Sequence, residues 1–540
     1  MQALYAKIRT TSQSRFTMAN AVVKKSRLLR SGMITSFFTL LSRILGMFRD
    51  IVIASVLGAG MSADIFFFAN RIPNFFRRLF AEGAFAQSFV PVMSKAKEQG
   101  SPQDLRSMLA NTCGTLGVCV LGVTILGMLA SPILTAIFGW GWFQAHLNGA
   151  PDGDKFIKAS ELLRITFPYL FFITLTALTS SILNVFGRFA VPAMTPCILN
   201  ITLIAFVLCL TPYFEDANVI LAYGMVAGGI LQLLFQIPLI IKLKLLVMPK
   251  WGWSDPNVKK IRTLMLPAIL GVSASQLNLL VNTVLASFLA TGAISYLYYS
   301  DRLLEFPIGI FAVAISTVIL PALSKVNQAN DPLRYQKTLD WGVRLVLLLG
   351  LPSMFGIIAL REPMLRVIFM RGAFNIEHVS LSAASLMASV SGLAAIMLVR
   401  VLVQGFAAIQ DTKTPVRCSL CAIASNIIFN LIFIVPLGYV GLALSTALAA
   451  YINAGLLLFF LYKRKIYALS AQSLLFILKA SLASVIMAAV LRYLSFDLQT
   501  WGQMNTLSGA LYLMAFIGLG AIIFVGICLL TGIKPRTLKM

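Results

Sequence analysis

Asp64, Arg71, Asn74, Arg77, Arg78 and Glu82 sit in one stretch otherwise built largely of Phe, Ile, Leu and Ala. On insertion scales each such cation near mid-bilayer costs roughly 2.5 to 3.5 kcal/mol, so a group of them suits a water-filled path or an anion better than lipid. Asp64, Arg71 and Arg78 are seven residues apart, a spacing that drifts only about 20° per heptad and keeps all three on one helical face. Asn74 follows Arg71 by three positions and Glu82 follows Arg78 by four, extending the stripe. Arg77 points roughly 100° away from Arg78, so only one of these neighbours faces the same side squarely.

Two more groups have the same character. Ser42, Arg43, Arg49 and Asp50 surround Gly46. On a straight helix Arg43 and Arg49 diverge by about 120°, and a break at Gly46 would turn both toward one cavity. Farther along, Asp301 and Glu305 share a face, and Arg302 lies on the side of Ser295 at heptad spacing. An acid beside an arginine there reads as an internal ion pair that holds the cation in place. The bland alternative at each position is a structural ion pair between helices, or a long side chain snorkelling to the membrane rim. It serves equally well for Arg78 with Glu82 and for Asp50. Arginines on three separate spans, however, point to a path for something negatively charged, and the guanidinium's planar fork of donors matches phosphate.

The elements that position these residues must be membrane helices. Of 540 residues, 59% are hydrophobic and 12% charged, and the mean hydropathy is +0.87, values that exclude an ordinary soluble domain. About fourteen apolar segments are long enough to cross roughly 30 Å of hydrocarbon. Their centres lie near 40, 78, 120, 172, 200, 230, 273, 310, 350, 393, 425, 450, 482 and 520. Continuous Leu, Ile, Ala, Phe and Val runs without alternation make these spans helices and not barrel strands, so the fold class is an all-α membrane protein.

The chain also repeats itself. Ala54-Ser55-Val56-Leu57, Gly60 and Phe66-Phe67-Phe68 are echoed by Ala286-Ser287-Phe288-Leu289, Gly292 and Tyr296-Leu297-Tyr298-Tyr299, an offset of 232. Pro91-Val92-Met93-Ser94-Lys95 and Pro321-Ala322-Leu323-Ser324-Lys325 close the two patterns at an offset of 230. A further echo pairs Gly187-Arg188-Phe189-Ala190-Val191-Pro192 with Gln410-Asp411-Thr412-Lys413-Thr414-Pro415. Six spans per half, an even number, give both halves the same orientation, so two six-helix lobes should be related by a pseudo-two-fold axis along the membrane normal, with a central cavity. The expected organisation is a basic segment over 1–30, a first lobe over 31–250, a second over 251–465, and two unrepeated helices with a basic tail over 466–540. Prolines at 168, 192, 196, 267, 307 and 352 allow the bends a rocking motion would use.

The net charge of +25 is distributed as a membrane protein requires, and nucleic acid is not an expected partner. Lys7, Arg9, Arg15, Lys24, Lys25, Arg27, Arg30, Lys250, Lys259, Lys260, Lys463, Arg464, Lys465, Lys534, Arg536 and Lys539 all fall on one side of a fourteen-helix count. The positive-inside rule makes that side, and both termini, cytoplasmic, with anionic membrane lipids facing the basic rim. Arg361, Arg366 and Arg371 are the exception, placed outside despite their charge. No removable signal peptide is expected, and residues 1–17 read as an extension ahead of a second start at Met18. Cys418 and Cys421 have C-x-x-C spacing without a second pair or a nearby His, and His146 and His378 stand alone, so no metal and no cofactor is expected.

Ser42-Arg43-Ile44-Leu45-Gly46-Met47-Phe48-Arg49-Asp50 and Ile72-Pro73-Asn74-Phe75-Phe76-Arg77-Arg78-Leu79-Phe80-Ala81-Glu82-Gly83-Ala84-Phe85 closely resemble the MurJ (MviN) family of bacterial lipid II flippases. Tyr298-Tyr299-Ser300-Asp301-Arg302-Leu303-Leu304-Glu305-Phe306-Pro307 and Gln410-Asp411-Thr412-Lys413-Thr414-Pro415 extend the likeness, which runs from about residue 30 to the end. The resemblance implies the MOP exporter fold in the bacterial inner membrane and a role in peptidoglycan biosynthesis. Its substrate would be lipid II, undecaprenyl-diphosphate-linked disaccharide-pentapeptide, carried by alternating access. The family's functional cavity residues fall on Ser42, Arg43, Arg49, Asp64, Arg77 and Arg302, and beyond them on Asn74, Ser295, Asp301 and Glu305. Arg71 stands where a relative has lysine, keeping charge with a different geometry. The family also includes members with a sodium site in the second lobe; here Asn278, Asn282, Asn426 and Asn430 lack carboxylates, and sodium is not assigned.

Other classes fit less well. A cation exporter of the same fold would show an acidic cavity. A membrane transferase acting on polyprenyl phosphate would cluster acids or histidines at one face, often with a divalent metal, and the short linkers leave no room for a soluble catalytic domain, so an enzyme is not expected. A flippase for another polyprenyl-diphosphate-linked saccharide and a non-transporting scaffold for cell-wall synthesis or division proteins remain the alternatives.

Overall fold

The computed structural model describes residues 32–79, 85–214 and 216–533, without the side chains of 270–275 and 277. Glu82 and the basic clusters of both termini lie outside the described residues. Nearly all of the described chain is helical and none of it is strand. In chain order α1 covers residues 32–57, followed by α2 (Met61–Phe76), α3 (Ala86–Gln99), α4 (Pro102–Leu129), α5 (Ser131–Phe138), α6 (Trp140–Leu147) and α7 (Asp154–Thr166). Next come α8 (Tyr169–Val185), α9 (Ala190–Leu210), α10 (Ala217–Lys242), α11 (Pro256–Ala286), α12 (Ala293–Pro307), α13 (Val313–Gln328) and α14 (Pro332–Ala359). The chain ends with α15 (Arg361–Phe369), α16 (Ile376–Val390), α17 (Leu393–Ala408), α18 (Lys413–Lys463), α19 (Ala471–Leu494), α20 (Leu498–Gln503) and α21 (Thr506–Leu530).

Among the described residues, ten helical segments are long and apolar enough to cross a membrane. They hold eleven of the expected centres, because the 51-residue α18 is two spans joined at Gly438, whose φ of 55° is left-handed and non-helical. Helices also cover the centres near 40, 78 and 273, so the architecture is consistent with fourteen spans.

The sequence repeat recurs in the backbone. A π-helical turn follows α2 at 77–79 and α12 at Ile308–Ala312. Left-handed residues pair off as well: Gly149 with Gly372, Gly187 with Gln410, and Lys244 with Lys465. Gln410 and the two lysines accept a conformation that disfavours side chains, because the helix before each must stop and turn at that point.

Contacts divide the chain into two compact units. The first comprises residues 1–52, 73–128 and 164–269. Its core gathers Phe85, Phe89, Met93, Leu109, Ile182, Leu183, Ile240 and Ile261. Buried amides tie α8, α9 and α10 together: Gln236 Nε2 donates to Ser180 Oγ (2.7 Å) and Thr195 Oγ1 (2.9 Å), and Gln232 donates to the Thr195 carbonyl (3.0 Å). In hydrocarbon such interhelical bonds contribute roughly 0.6 kcal/mol each, so they set register more than stability.

The second unit comprises residues 53–72, 129–163 and 270–540. Here α14 packs against α17 and α19, α12 against α16, and α19 against α21. The unrepeated helices are tied in by polar groups. Arg344 bridges Asp340 (2.7 Å) and Ser473 (3.0 and 2.8 Å), and Tyr467 donates to Asp340 (2.9 Å). Burial, together with Asp340, pushes the Tyr467 hydroxyl well above the usual phenol range. Arg366, in the basic stretch that looked exceptional, donates to the carbonyls of Gly502, Met504 and Asn505, and Arg371 to those of Val367 and Ile368. Both arginines thus donate to backbone carbonyls at or beside helix ends, where a cation is favourable.

Candidate anion-binding site

The first unit holds Ser42, Arg43, Arg49, Asn74, Arg77 and Arg78. α1 runs unbroken through Gly46, so the break expected there is absent and Arg43 and Arg49 keep their divergent directions. Arg43 is exposed, whereas Arg49 is half-buried. Arg49 Nε and Nη2 donate to Asp50 Oδ1 at 2.9 and 2.6 Å, and Nη1 donates to Asn200 Oδ1 at 3.1 Å. Asn200 in turn donates to the Ser42 carbonyl (3.1 Å). Asp50, fully buried, is thus the residue that orients Arg49, whose side chain is 17% exposed. Such pre-ordering lowers the entropy lost when an anion binds.

Past Phe76 the backbone enters the π-helical turn, and the straight-helix stripe ends. Arg77 Nε donates to Asn74 Oδ1 (3.0 Å), pairing two of the expected residues, and Arg78 is exposed. The expected partner Glu82 lies outside the described residues. An added residue per turn re-aims side chains, which is why π-turns recur at functional sites.

The second unit holds Asp64, Arg71, Ser295, Asp301, Arg302 and Glu305. Asp64 is 2% exposed. It accepts from the Gly292 N–H (2.7 Å), the Ser295 N–H (2.9 Å) and the Ser295 hydroxyl (2.6 Å). It therefore caps α12 from α2, across 228 residues of sequence. Orphan donors at a helix N-terminus favour a carboxylate. Gly292 permits the approach: its φ is 96°, and a Cβ there would stand 2.7 Å from the Ala59 carbonyl oxygen. Aromatic rings complete the seam, with Phe67 stacked on Tyr298 at 3.7 Å and the Tyr299 hydroxyl donating to the Gly58 carbonyl (2.9 Å). Asp64 and Ser295 thus form a helix cap.

Arg71, half-buried, donates to Thr283 Oγ1 at 3.0 Å. Arg302 pairs with Glu305 at 3.0 Å, with 22% of the arginine side chain and 58% of the glutamate side chain exposed, so this pair is not the internal one the sequence suggested. Asp301 is exposed on the same helix.

Two residues escaped sequence reasoning. Asn200 is the single amide of an apolar helix, a signal that was available. Lys155 is 1% exposed and reaches Asp152 (2.9 Å) and Thr291 Oγ1 (2.7 Å), beside Gly292. Nothing in its neighbourhood in sequence marks it.

No group of three His, Cys, Asp or Glu able to hold a metal occurs among the described residues. The amides of the second half do gather: Asn430 donates to Asn282 (2.7 Å) and Asn426 (3.0 Å). Asn430 Oδ1 is buried without a hydrogen-bond partner, yet the cluster carries no negative charge, so it does not fit a sodium site built on carboxylates.

Residues 53–512 match the family model for lipid II flippase MurJ. The probable lipid II flippase MurJ of Vibrio cholerae serotype O1 is 49% identical, over 96% of this chain and 99% of its own length. Among solved structures, a lipid II flippase MurJ in an inward closed conformation superposes with a TM-score of 0.77 at 29% identity, covering 92% of this chain and 98% of that one. An inward-facing multidrug resistance MATE family transporter of the MOP superfamily shares the fold at a TM-score of 0.64 and 13% identity, over 80% and 98%. With its arginine-bearing helices, its internal repeat and a match along nearly its whole length, this chain belongs to the MurJ family of multi-spanning membrane proteins.

Proposed function

We propose that this protein moves lipid II from the inner to the outer leaflet of the bacterial inner membrane by alternating access, with both termini in the cytoplasm. The guanidinium groups of Arg43, Arg49, Arg77 and Arg302 take the diphosphate during the cycle, while the polyprenyl tail stays in lipid. The observation that carries this reading is Arg49, whose guanidinium is oriented by Asp50 and Asn200 while 17% of its side chain is exposed. A guanidinium whose plane is fixed in this way has the donor geometry that phosphate oxygens accept. The relatives' names supply the substrate class. Arg71, Asn74, Arg78, Glu82, Asp301 and Glu305 are further candidates for contact with the substrate during the cycle. Asp64 and Ser295 act differently, as a contact between the two repeats that must break when the cycle turns over.

The test is headgroup translocation in reconstituted vesicles, wild type against Arg49→Ala, with other polyprenyl-diphosphate-linked saccharides as competitors. Loss of translocation in the variant at equal membrane abundance supports the reading. Wild-type rates in the variant would refute it, and equal competition by the other saccharides would replace lipid II with a broader substrate class.

A further inference from the structure

The segment linking α10 to α11 has chemistry that moving a diphosphate leaves unused. Trp251 and Trp253 stand with ring planes 5° apart and centroids 5.8 Å apart, and they are 60% and 45% exposed. Large aromatic rings on a loop ordinarily turn inward. Here the backbone holds them out. The Lys250 N–H donates to the Ala110 carbonyl (2.9 Å), the Gly252 N–H to Thr115 Oγ1 (3.0 Å), and Asn111 Nδ2 to Asp255 Oδ2 (3.0 Å). Two glycines make the docking on α4 feasible: a Cβ at Gly114 would strike the Lys250 backbone, and one at Gly252 would strike Asn111. Ile261, in the core of the first unit, pins the start of α11.

Charge surrounds the rings. The Arg262 guanidinium lies 3.7 Å over Trp253, and residues 242–262 carry Lys242, Lys244, Lys250, Lys259, Lys260 and Arg262 against a single acid. That acid, Asp255, is already committed to Asn111, Asn257 and Val258. All five lysines are exposed. Close by in sequence, Met248, Leu264 and Leu266 present exposed apolar surface, as do Val118 and Leu121 on the membrane-crossing α4. Paired tryptophans at the level where apolar helix surface meets a basic loop match the interfacial zone of a bilayer.

We propose that Trp251, Trp253 and the surrounding lysines form a fixed binding site for the headgroup of an anionic phospholipid. The rings sit at glycerol depth, and Lys250, Lys259 and Lys260 pair with the phosphate.

Tryptophan fluorescence of the full chain in nanodiscs tests this, with bilayers of phosphatidylcholine containing a minor fraction of brominated lipid. Brominated phosphatidylglycerol is expected to quench severalfold more than brominated phosphatidylcholine. Trp251→Phe with Trp253→Phe should abolish that difference, and Lys250→Gln with Lys259→Gln and Lys260→Gln should reduce it to the neutral-lipid level. Equal quenching by the two lipids would overturn the proposal, since the rings would then merely touch lipid. Selective quenching that survives in the double Trp variant would overturn it too, because the site would lie elsewhere.

Discussion

Replacing Asp64 with Asn probes the seam between the two repeats with little change of shape. The carboxylate accepts three hydrogen bonds, from the Gly292 and Ser295 N–H groups and the Ser295 hydroxyl, in a site 2% exposed. An amide keeps one acceptor oxygen for Ser295 but turns an NH₂ donor toward the Gly292 N–H. One bond to a charged acceptor is lost, about 1.5 to 3 kcal/mol, along with the carboxylate's attraction to the α12 N-terminus, about 0.3 to 2 kcal/mol. A net loss of about 3 kcal/mol follows, which shifts the ratio of closed to open seam by roughly 150-fold. Ala293 is 1% exposed beside this contact, so Ala293→Cys, in a background lacking the native cysteines, reports opening through its rate of maleimide labelling. The rate should rise steeply with Asp64→Asn and less with Ser295→Ala, which removes only the hydroxyl bond. An unchanged labelling rate, at normal membrane abundance, would refute the idea that this cap holds the seam shut.

Other outcomes follow from the same geometry. Arg49→Lys keeps the charge but cannot bridge Asp50 and Asn200 at once, and losing one oriented hydrogen bond should weaken lipid II binding about tenfold; native mass spectrometry of the variant checks this. Carrying a roughly divalent diphosphate outward across an inside-negative membrane gains about 2.3 kcal/mol per charge per 100 mV, or about 5 kcal/mol in total. Collapsing the potential in vesicles should therefore slow turnover, and identical rates would argue against net movement of negative charge. Asp411 offers a pH test away from the membrane. Desolvation raises its pKa, but bonds from Thr414 and Arg464 prevail and hold the carboxyl at about 2. A depressed folded value means the contact's stabilisation is complete above the unfolded value near 3.9 and fades as pH falls toward 2. The difference in melting temperature between wild type and Asp411→Asn should be flat at neutral pH and close over that acidic window.

Much of the fold was legible because bilayer thickness and helical rise together dictate span length, and the apolar runs declared their own centres. The repeat was legible too: Gly187 and Gln410, aligned by a polar turn in sequence, share the left-handed backbone. The site was legible in residue type more than in grouping. Heptad arithmetic assumes an unbroken α-helix, and the π-turn after Phe76 takes Arg77 and Arg78 out of that register. The converse error occurred at Gly46, where a glycine suggested a break and the helix continued. Asp64 has the composition of a pathway charge, yet two of its three partners are backbone N–H groups in the other half of the chain, which no side-chain pattern encodes. Lys155 is hidden for the same reason, since its burial depends on Thr291, 136 residues away. That Arg366 and Arg371 donate to backbone carbonyls is likewise not written in the sequence around them.

Translocation of the lipid II headgroup by Arg49→Ala in reconstituted vesicles bears most directly on the central claim that an oriented guanidinium receives the diphosphate. The account requires the rate to fall at least tenfold with the protein folded and inserted, and Asp50→Asn to fall less because the fork, though loosened, is still present. Wild-type rates in Arg49→Ala, or a larger loss in Asp50→Asn than in Arg49→Ala, would contradict it.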